Sequence, residues 1–198
     1  MSKSFLMGNE AIGLGAVRAG VKVVSGYPGT PSTEVLETVA KHNPGDIYVE
    51  WSVNEKAGME VAAAAAYTGA RTMVTMKQVG LNVASDPLMS LAYVGVKGGL
   101  VVVAADDPGP ISSQTEPETR RYGQISKLPV FDPSSPEEAY EMIKDAFEYS
   151  EKYHTPVLFR PTTRLCHGCA SVELKERVKL PAPEGFVKDS GKWVIFPR

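Results

Sequence analysis

Short apolar runs alternate with stretches of helical period from about residue 10 to about residue 160. The apolar runs predict strands at Val21–Val24, Ile47–Trp51, Thr72–Met76, Gly99–Ala105, Pro129–Phe131 and Pro156–Arg160. The helical stretches are Glu10–Ala19, Thr30 to about Lys41, Glu55–Thr68, Leu81–Val94 and Ser135 to about Tyr153. This alternation predicts an α/β fold, an open parallel sheet with helices on both faces.

Polar residues at the helix starts sharpen these boundaries. Gly8-Asn9 is expected to cap the first helix, and Thr30 is expected to cap the second, with Pro31 at its first position. Ser135 and Glu138 have the spacing of a capping box before the last long helix.

Composition excludes several classes of function. The net charge is −2 and the sequence contains no basic stripe, so nucleic-acid binding is not expected. No apolar run reaches membrane-spanning length, and the start, MSKSFLMGNEAIGLG, lacks the features of a signal peptide. A cytoplasmic protein with no membrane contact is the expectation.

Four loops should meet where the strands of a parallel sheet end, which is where such sheets bind ligands. They are Gly26–Ser32, Ser52–Glu55, Lys77–Asn82 and Asp106–Thr119. Gly80 would let the chain pass close to a flat ring, and Gln78 could hydrogen-bond its polar edge, although a helix start with a solvated Lys77 accounts for the same residues. The adjacent Asp106 and Asp107 are a weak signal for a metal.

Glu55 is the strongest catalytic candidate, because it stands between a strand end and the start of an alanine-rich helix. A carboxylate held there can do acid/base work on a bound ligand. The same residue completes the spacing Ser52-x-x-Glu55, which is also that of a purely structural capping box. The residues alone leave both interpretations open.

Residues 166–198 do not continue the pattern and are predicted to be a tail or a linker toward a further domain, whereas residues 1–165 form the first domain. The tail begins with Cys166-His167-Gly168-Cys169. A zinc or iron–sulfur site needs about four ligands, and no second cysteine pair exists, so free cysteines are expected. GLGAVRAG (Gly13–Gly20) lies inside a predicted helix and is not a dinucleotide fingerprint.

Several long motifs, in this order, carry a family resemblance: GYPGTPSTE, NEKAGMEVAAAAAYTGAR, TMKQVGLNVASDPLMSLAYVGVKGGLVVVAADDPGPISSQTE and LPVFDPSSPEEAYEMIKDAFEYSEKYHTPVLFRPTTR. Together they resemble the alpha subunits of indolepyruvate ferredoxin oxidoreductases, members of the thiamine-diphosphate-dependent 2-oxoacid:ferredoxin oxidoreductases. The resemblance covers about residues 5–165 and implies the thiamine-diphosphate-binding fold, in its pyrimidine-binding domain.

The resemblance gives a role to each loop. Glu55 matches the family's glutamate, which hydrogen-bonds N1′ of the cofactor's aminopyrimidine and so helps to activate the thiazolium carbon. The residues expected to line the pyrimidine ring beside it are Lys77, Gln78, Gly80 and Asn82.

Tyr27, Gly29 and Thr30 match a loop near the substrate carboxylate, with Thr30 as the expected donor. Gly29 replaces a bulkier residue of many relatives, which suggests room for a larger side chain such as indole. Many relatives place an arginine near Asp107 to hold that carboxylate, and this chain has an acid there.

The resemblance also implies what lies elsewhere. The diphosphate and Mg2+ site belongs to a second domain with a G-D-G motif, and the 4Fe–4S clusters need cysteine-rich runs, none of which is in this sequence. The expected partners are the remainder of the alpha subunit, a gamma-type beta subunit, ferredoxin, coenzyme A and a 2-oxoacid. The expected function is oxidative decarboxylation of aryl-2-oxoacids to acyl-CoA. The alternatives are a non-oxidative, sulfopyruvate-like decarboxylase subunit and a non-catalytic binding module.

Overall fold

The computed structural model describes residues 2–195. Its strands are β1 (Ser2–Met7), β2 (Val23–Gly26), β3 (Tyr48–Trp51), β4 (Thr72–Lys77), β5 (Leu100–Ala105), β6 (Val130–Phe131), β7 (Val157–Phe159) and β8 (Cys169–Leu174). Its helices are α1 (Gly8–Arg18), α2 (Thr33–Lys41), α3 (Glu55–Tyr67), α4 (Gln78–Val83), α5 (Ser85–Val94), α6 (Arg120–Ser126), α7 (Pro136–Tyr153), α8 (Thr163–His167) and α9 (Ser190–Trp193).

Six of these strands form one parallel sheet in the order β3-β2-β4-β5-β7-β6. Helices cover both faces, so the predicted fold class is confirmed. The central strand β5 is buried along its whole length, as its uninterrupted apolar sequence predicts.

Two apolar layers hold the helices to the sheet. On one face α1, α2 and α7 pack against side chains such as Met73 and Val101. On the other face α3, α4 and α5 pack against Val74, Met76 and Val102. Among the described helices none is long and apolar enough to cross a membrane.

The chain changes direction within the sheet between β2 and β4. The helix after β2, α2, packs on one face, whereas α4 and α5, which follow β4, pack on the other. The loops that leave these neighbouring strands therefore diverge at their carboxyl ends. Open α/β sheets bind ligands at such a crevice.

Two predicted helix caps are wrong. The first helix begins at Gly8, with Met7 in the capping position, so Asn9 lies inside the helix rather than before it. The second begins at Thr33 with Ser32 before it, and the Thr30–Pro31 peptide is cis. The capping of α7 by Ser135 is confirmed, although the Glu138 carboxylate accepts hydrogen bonds from Ser134 instead of completing the box.

A second, two-stranded sheet was not predicted from the sequence. It pairs β1 with β8 in antiparallel register, from Ser2 opposite Leu174 to Met7 opposite Cys169. The predicted domain boundary after residue 165 remains a prediction, but β8 ties the segment beyond it to the start of the chain. The segment then crosses the amino edge of the main sheet, where the Gly185 N–H donates to the Thr68 carbonyl over 3.1 Å. The last residues of the predicted tail, 196–198, lie outside the described residues.

Candidate functional site

Glu55 is the first residue of α3, at the carboxyl edge of the sheet. The residue before it, Asn54, caps the helix by accepting a hydrogen bond from the Ala57 N–H over 2.9 Å. Ser52 instead donates its hydroxyl to Glu50. The capping-box interpretation of Ser52 and Glu55 is therefore wrong, and capping does not account for a carboxylate at this position.

The Glu55 side chain is folded inward against Gly80 of α4. Glu55 is only 8% exposed. A Cβ atom at Gly80 would lie 2.6 Å from both Cγ and Oε1 of Glu55. Only a glycine at this position leaves the space that the carboxylate occupies.

The Glu55 side chain is largely buried, and within residues 2–195 no hydrogen bond or ion pair reaches its carboxylate. The carboxylate oxygens are not among the fully buried unpartnered atoms, so they retain some access from outside. Buried carboxylates are ordinarily paired or hydrogen-bonded. A partner supplied by a ligand would remove this exception.

Gln78 is fully buried at the start of α4 and joins it to the loop after β5. Its Nε2 donates to the Thr115 carbonyl over 3.2 Å, and its Oε1 has no partner in the described part of the chain. Asn82, by contrast, is exposed, and its side-chain oxygen accepts a hydrogen bond from the Tyr122 hydroxyl. Of the residues expected to line a flat ring, the structure brings Gly80 against Glu55 and directs Asn82 toward α6.

The loop after β2 carries the expected substrate residues. The Tyr27 N–H donates to the Thr75 carbonyl of β4 over 3.1 Å. The backbone of Gly29 is held by Ser32 and Thr33. Thr30 is exposed and its hydroxyl has no partner among the described residues, so it is available to a ligand.

The space beside Gly29 is bordered by the aliphatic stem of Lys77. A Cβ at Gly29 would lie 3.0 Å from Cδ and 3.1 Å from Cγ of Lys77. The expectation was that the missing side chain leaves room for an indole-sized substrate group. The structure places the lysine stem beside that space, and the accommodation of a larger substrate group stays a prediction.

Asp107 anchors the loop after β5. One of its carboxylate oxygens accepts hydrogen bonds from the N–H groups of Ile111, Ser112 and Ser113, and the other accepts from the Thr163 hydroxyl. Burial opposes ionisation, but these hydrogen bonds outweigh it and lower the pKa of Asp107 to about 2. An ionised carboxylate with its oxygens so occupied is a loop anchor.

The neighbouring Asp106 is paired with Arg160 at the end of β7. The Arg160 Nε donates to Asp106 over 2.7 Å, and both side chains are buried. Burial raises the pKa of Asp106, while Arg160 acts against that rise. Within the described residues no cluster of three or more metal-ligating side chains forms, so the two aspartates are not joined by further ligands.

Sequence reasoning missed two residues that position this edge. Asn9, fully buried in α1, donates to the Pro31 carbonyl over 2.6 Å and to the Glu34 carboxylate over 2.7 Å, and so fixes the loop that carries Thr30. Arg160, the other, neutralises Asp106. The available signals were an amide at the start of a helix and an arginine at the end of an apolar strand. Residues of both kinds are common on protein surfaces without a positioning role.

The two cysteines are separate and free. Cys166 is buried in α8, and this burial raises the pKa of its thiol far above the ordinary value, whereas Cys169 is exposed on β8. No disulfide joins the two thiols, and their role stays a prediction.

Comparisons with known proteins identify a family and several relatives of this chain. Residues 14–189 match the family model described as "Pyruvate flavodoxin/ferredoxin oxidoreductase, thiamine diP-bdg". The indolepyruvate oxidoreductase subunit IorA of Methanothermobacter thermautotrophicus is 50% identical over 198 residues, which cover 98% of this chain and 32% of the relative. The 2-oxoglutarate synthase subunit KorA of Methanocaldococcus jannaschii is 29% identical over 190 residues, which cover 91% of this chain and 51% of the relative.

A solved structure is similar throughout the fold. It is the 2-oxoglutarate:ferredoxin oxidoreductase from Magnetococcus marinus with 2-oxoglutarate, coenzyme A and succinyl-CoA bound. The TM-score is 0.75 at 25% identity, covering 93% of this chain and 32% of that one. The chain thus spans about a third of the length of this structure and of the IorA relative.

Proposed function

The chain belongs to the pyruvate flavodoxin/ferredoxin oxidoreductase family of thiamine-diphosphate-binding domains, and from this membership we propose that it binds and activates the aminopyrimidine of thiamine diphosphate. We place it in an enzyme that oxidatively decarboxylates aryl-2-oxoacids to acyl-CoA and passes the electrons to ferredoxin. The names of the indolepyruvate oxidoreductase relatives support the aryl substrate, and the coenzyme A bound in the similar structure supports the acyl acceptor.

The residues present suit an aminopyrimidine. Such a ring offers nitrogen atoms at its edge and a flat face, so it needs a proton-sharing acid and a close backbone approach. Glu55, whose side chain is largely buried and whose carboxylate has no partner in residues 2–195, supplies the first, and it is the observation that carries the proposal. Gly80 supplies the second, and the unpartnered Oε1 of buried Gln78 supplies an additional acceptor.

Glu55 would share a proton with the ring nitrogen that faces it. The missing side chain at Gly80 leaves the space in which the carboxylate lies, and the cap at Asn54 fixes the start of the helix that carries it. When bound, thiamine diphosphate supplies the carbon chemistry of the decarboxylation. The protein contributes placement, exclusion of water and a defined proton position.

The backbone of Lys77–Asn82 would line the ring, and the loop of Tyr27, Gly29 and Thr30 would face the 2-oxoacid. The remaining parts of the site are proposed to lie outside this chain, which spans only 32% of the similar subunit. They are the diphosphate and Mg2+ site in the remainder of the alpha subunit, 4Fe–4S clusters, and a gamma-type beta subunit. The cytoplasm is the proposed location.

Replacing Glu55 by Gln tests this proposal in the assembled oxidoreductase. Glutamine keeps the shape but cannot share a proton in the same way, so kcat should fall by about 10²- to 10⁴-fold. The measurement is reduction of ferredoxin with an aryl-2-oxoacid and coenzyme A. Thermal unfolding should be close to that of the parent protein.

The matched control is Glu60→Gln, which changes an exposed glutamate five residues further along α3. It should leave turnover unchanged. Near-normal turnover of Glu55→Gln would contradict the assignment. Release of an aldehyde without reduction of ferredoxin would instead indicate a non-oxidative decarboxylase, and absence of thiamine diphosphate binding would indicate a non-catalytic module.

A further inference from the structure

Lys77 combines a fixed stem with an unpaired charge at the ligand-binding edge of the sheet. It is the last residue of β4, where the chain direction reverses between β2 and β4. We propose that its ammonium holds the carboxylate of the 2-oxoacid substrate. This inference rests on the proposed function and assigns to the substrate a residue that the family resemblance placed beside the cofactor ring.

The position of Lys77 suits this role. On one side of β4 the loop after β2 brings Gly29 and Thr30 to the edge, and on the other side β5 pairs Ala105 with Lys77. A ligand entering this crevice meets Lys77 between the two loops.

The charge of Lys77 is free, whereas Arg160 and Lys56, two other cations near this edge, are paired with carboxylates. No carboxylate of residues 2–195 pairs with its ammonium, although the side chain is half-buried. Arg160 is held by Asp106 over 2.7 Å and by Asp132 over 3.3 Å. Lys56 pairs with Asp86 over 2.8 Å. Lys77 is thus a cation at the crevice that an incoming anion can bind without breaking an existing pair.

Each acid of the loop after β5 has donors of its own: Glu118 pairs with Arg120 over 2.5 Å, and Glu116 accepts a hydrogen bond from the Gly109 N–H over 2.6 Å. Asp106 is neutralised by Arg160, and Asp107 is occupied by backbone N–H groups and the Thr163 hydroxyl. Local compensation of this kind reduces the repulsion that a bound carboxylate would otherwise meet.

The stem of Lys77 runs alongside Gly29: its Cδ lies 3.0 Å from the position that a Cβ would take at residue 29. A lysine already packed along its aliphatic part loses less side-chain freedom when its ammonium binds a ligand. The same contact places the stem against the loop that carries the unpartnered Thr30 hydroxyl, a second donor for the same carboxylate.

Lys77 and Glu55 approach the edge from opposite faces of the sheet. Strand alternation puts Lys77 on the face of Met73, with α2, whereas Glu55 lies against Gly80 on the face of Val74 and Met76. An acid on one face and a cation on the other allow the two to act on different groups, the ring nitrogen and the carboxylate.

Lys77→Met in the assembled oxidoreductase tests the inference, because methionine keeps an aliphatic stem and removes the charge. The probes are phenylacetate, which has the aryl group and carboxylate but cannot react, and its neutral amide, phenylacetamide. Calorimetry with the thiamine-diphosphate-loaded protein gives both dissociation constants. The parent protein should prefer the acid by about 10- to 100-fold, the range of a charge-assisted hydrogen bond, and the variant should lose that preference.

Lys77→Arg should retain part of the preference, and Lys41→Met, which removes an exposed lysine at the far end of α2, should retain all of it. The dissociation constant for thiamine diphosphate should stay unchanged in Lys77→Met. A variant that keeps the preference for the acid would overturn the inference, and so would one that loses the preference but also binds thiamine diphosphate tenfold more weakly, because the loss would then report damage to the site. A parent protein that does not bind thiamine diphosphate would overturn the proposed function as well.

Discussion

A single methyl group at Gly80 should displace the Glu55 carboxylate without unfolding the chain. The Cβ of Gly80→Ala would stand 2.6 Å from Cγ and from Oε1 of Glu55. Carbon atoms in favourable contact are about 3.5–4.0 Å apart, so one of the two side chains must move by roughly 1 Å. The part that yields is the Glu55 side chain, because it is flexible and the helix backbone of α4 is not.

The expected loss of activity follows from that displacement. A misplacement of about 1 Å at a catalytic group costs on the order of 10²-fold in rate. This factor corresponds to about 2.7 kcal/mol of transition-state stabilisation. Stability should change little, because alanine is favoured over glycine in a helix by about 1 kcal/mol, which offsets the residual crowding.

The assay pairs turnover with thermal unfolding. Ferredoxin reduction is measured in the assembled oxidoreductase, and the unfolding midpoint in the same preparation. The matched control is Gly58→Ala in α3, where the new Cβ would lie 3.5 Å from Gly26, an ordinary contact. The control should keep its activity.

Normal turnover in Gly80→Ala would refute the reasoning. It would mean that the position of the Glu55 carboxylate against α4 is irrelevant to the reaction. A variant that loses activity and also unfolds well below the parent would refute it in a different way, because the loss would then report damage to the fold.

Two further predictions concern groups around the site. Asp107→Asn should lower the unfolding midpoint at neutral pH. The pKa of Asp107 is about 2 in the folded chain and about 3.9 in the unfolded chain, so its contribution to stability is complete above the unfolded value and disappears as the pH falls from about 4 to about 2. The unfolding midpoints of parent and variant should therefore converge in acid. A thiol reagent should modify exposed Cys169 rapidly and buried Cys166 only on unfolding, and mass spectrometry that found Cys166 labelled first in the native protein would contradict the described burial.

The main sheet could be predicted from the sequence because its strands are short apolar runs between well-marked helices. Gly99–Ala105 is the clearest case, since a strand buried on both faces cannot alternate. The pairing of β1 with β8 could not be predicted, because it joins segments more than 160 residues apart whose patterns carry no partner information. Long-range pairing is decided by tertiary packing rather than by local propensity.

The site was predicted in its residue types but not in its contacts. Glu55 stood out by its place between a strand and a helix, yet a capping box explained it equally well until Asn54 proved to be the cap. The close approach of the Lys77 stem to Gly29 could not be predicted either, because the two segments are distant in sequence and meet only in the folded chain. Local rules identify which residues could act, and packing decides what they touch.

The contact between Gly29 and Lys77 constrains how these two positions can vary during evolution. A residue with a Cβ at position 29 would need the space that the lysine stem now occupies. A long side chain at position 77 and a larger one at position 29 therefore compete for the same space, and a change at one position favours a compensating change at the other. Aligned descendants of a common ancestor should show these two columns changing as a pair.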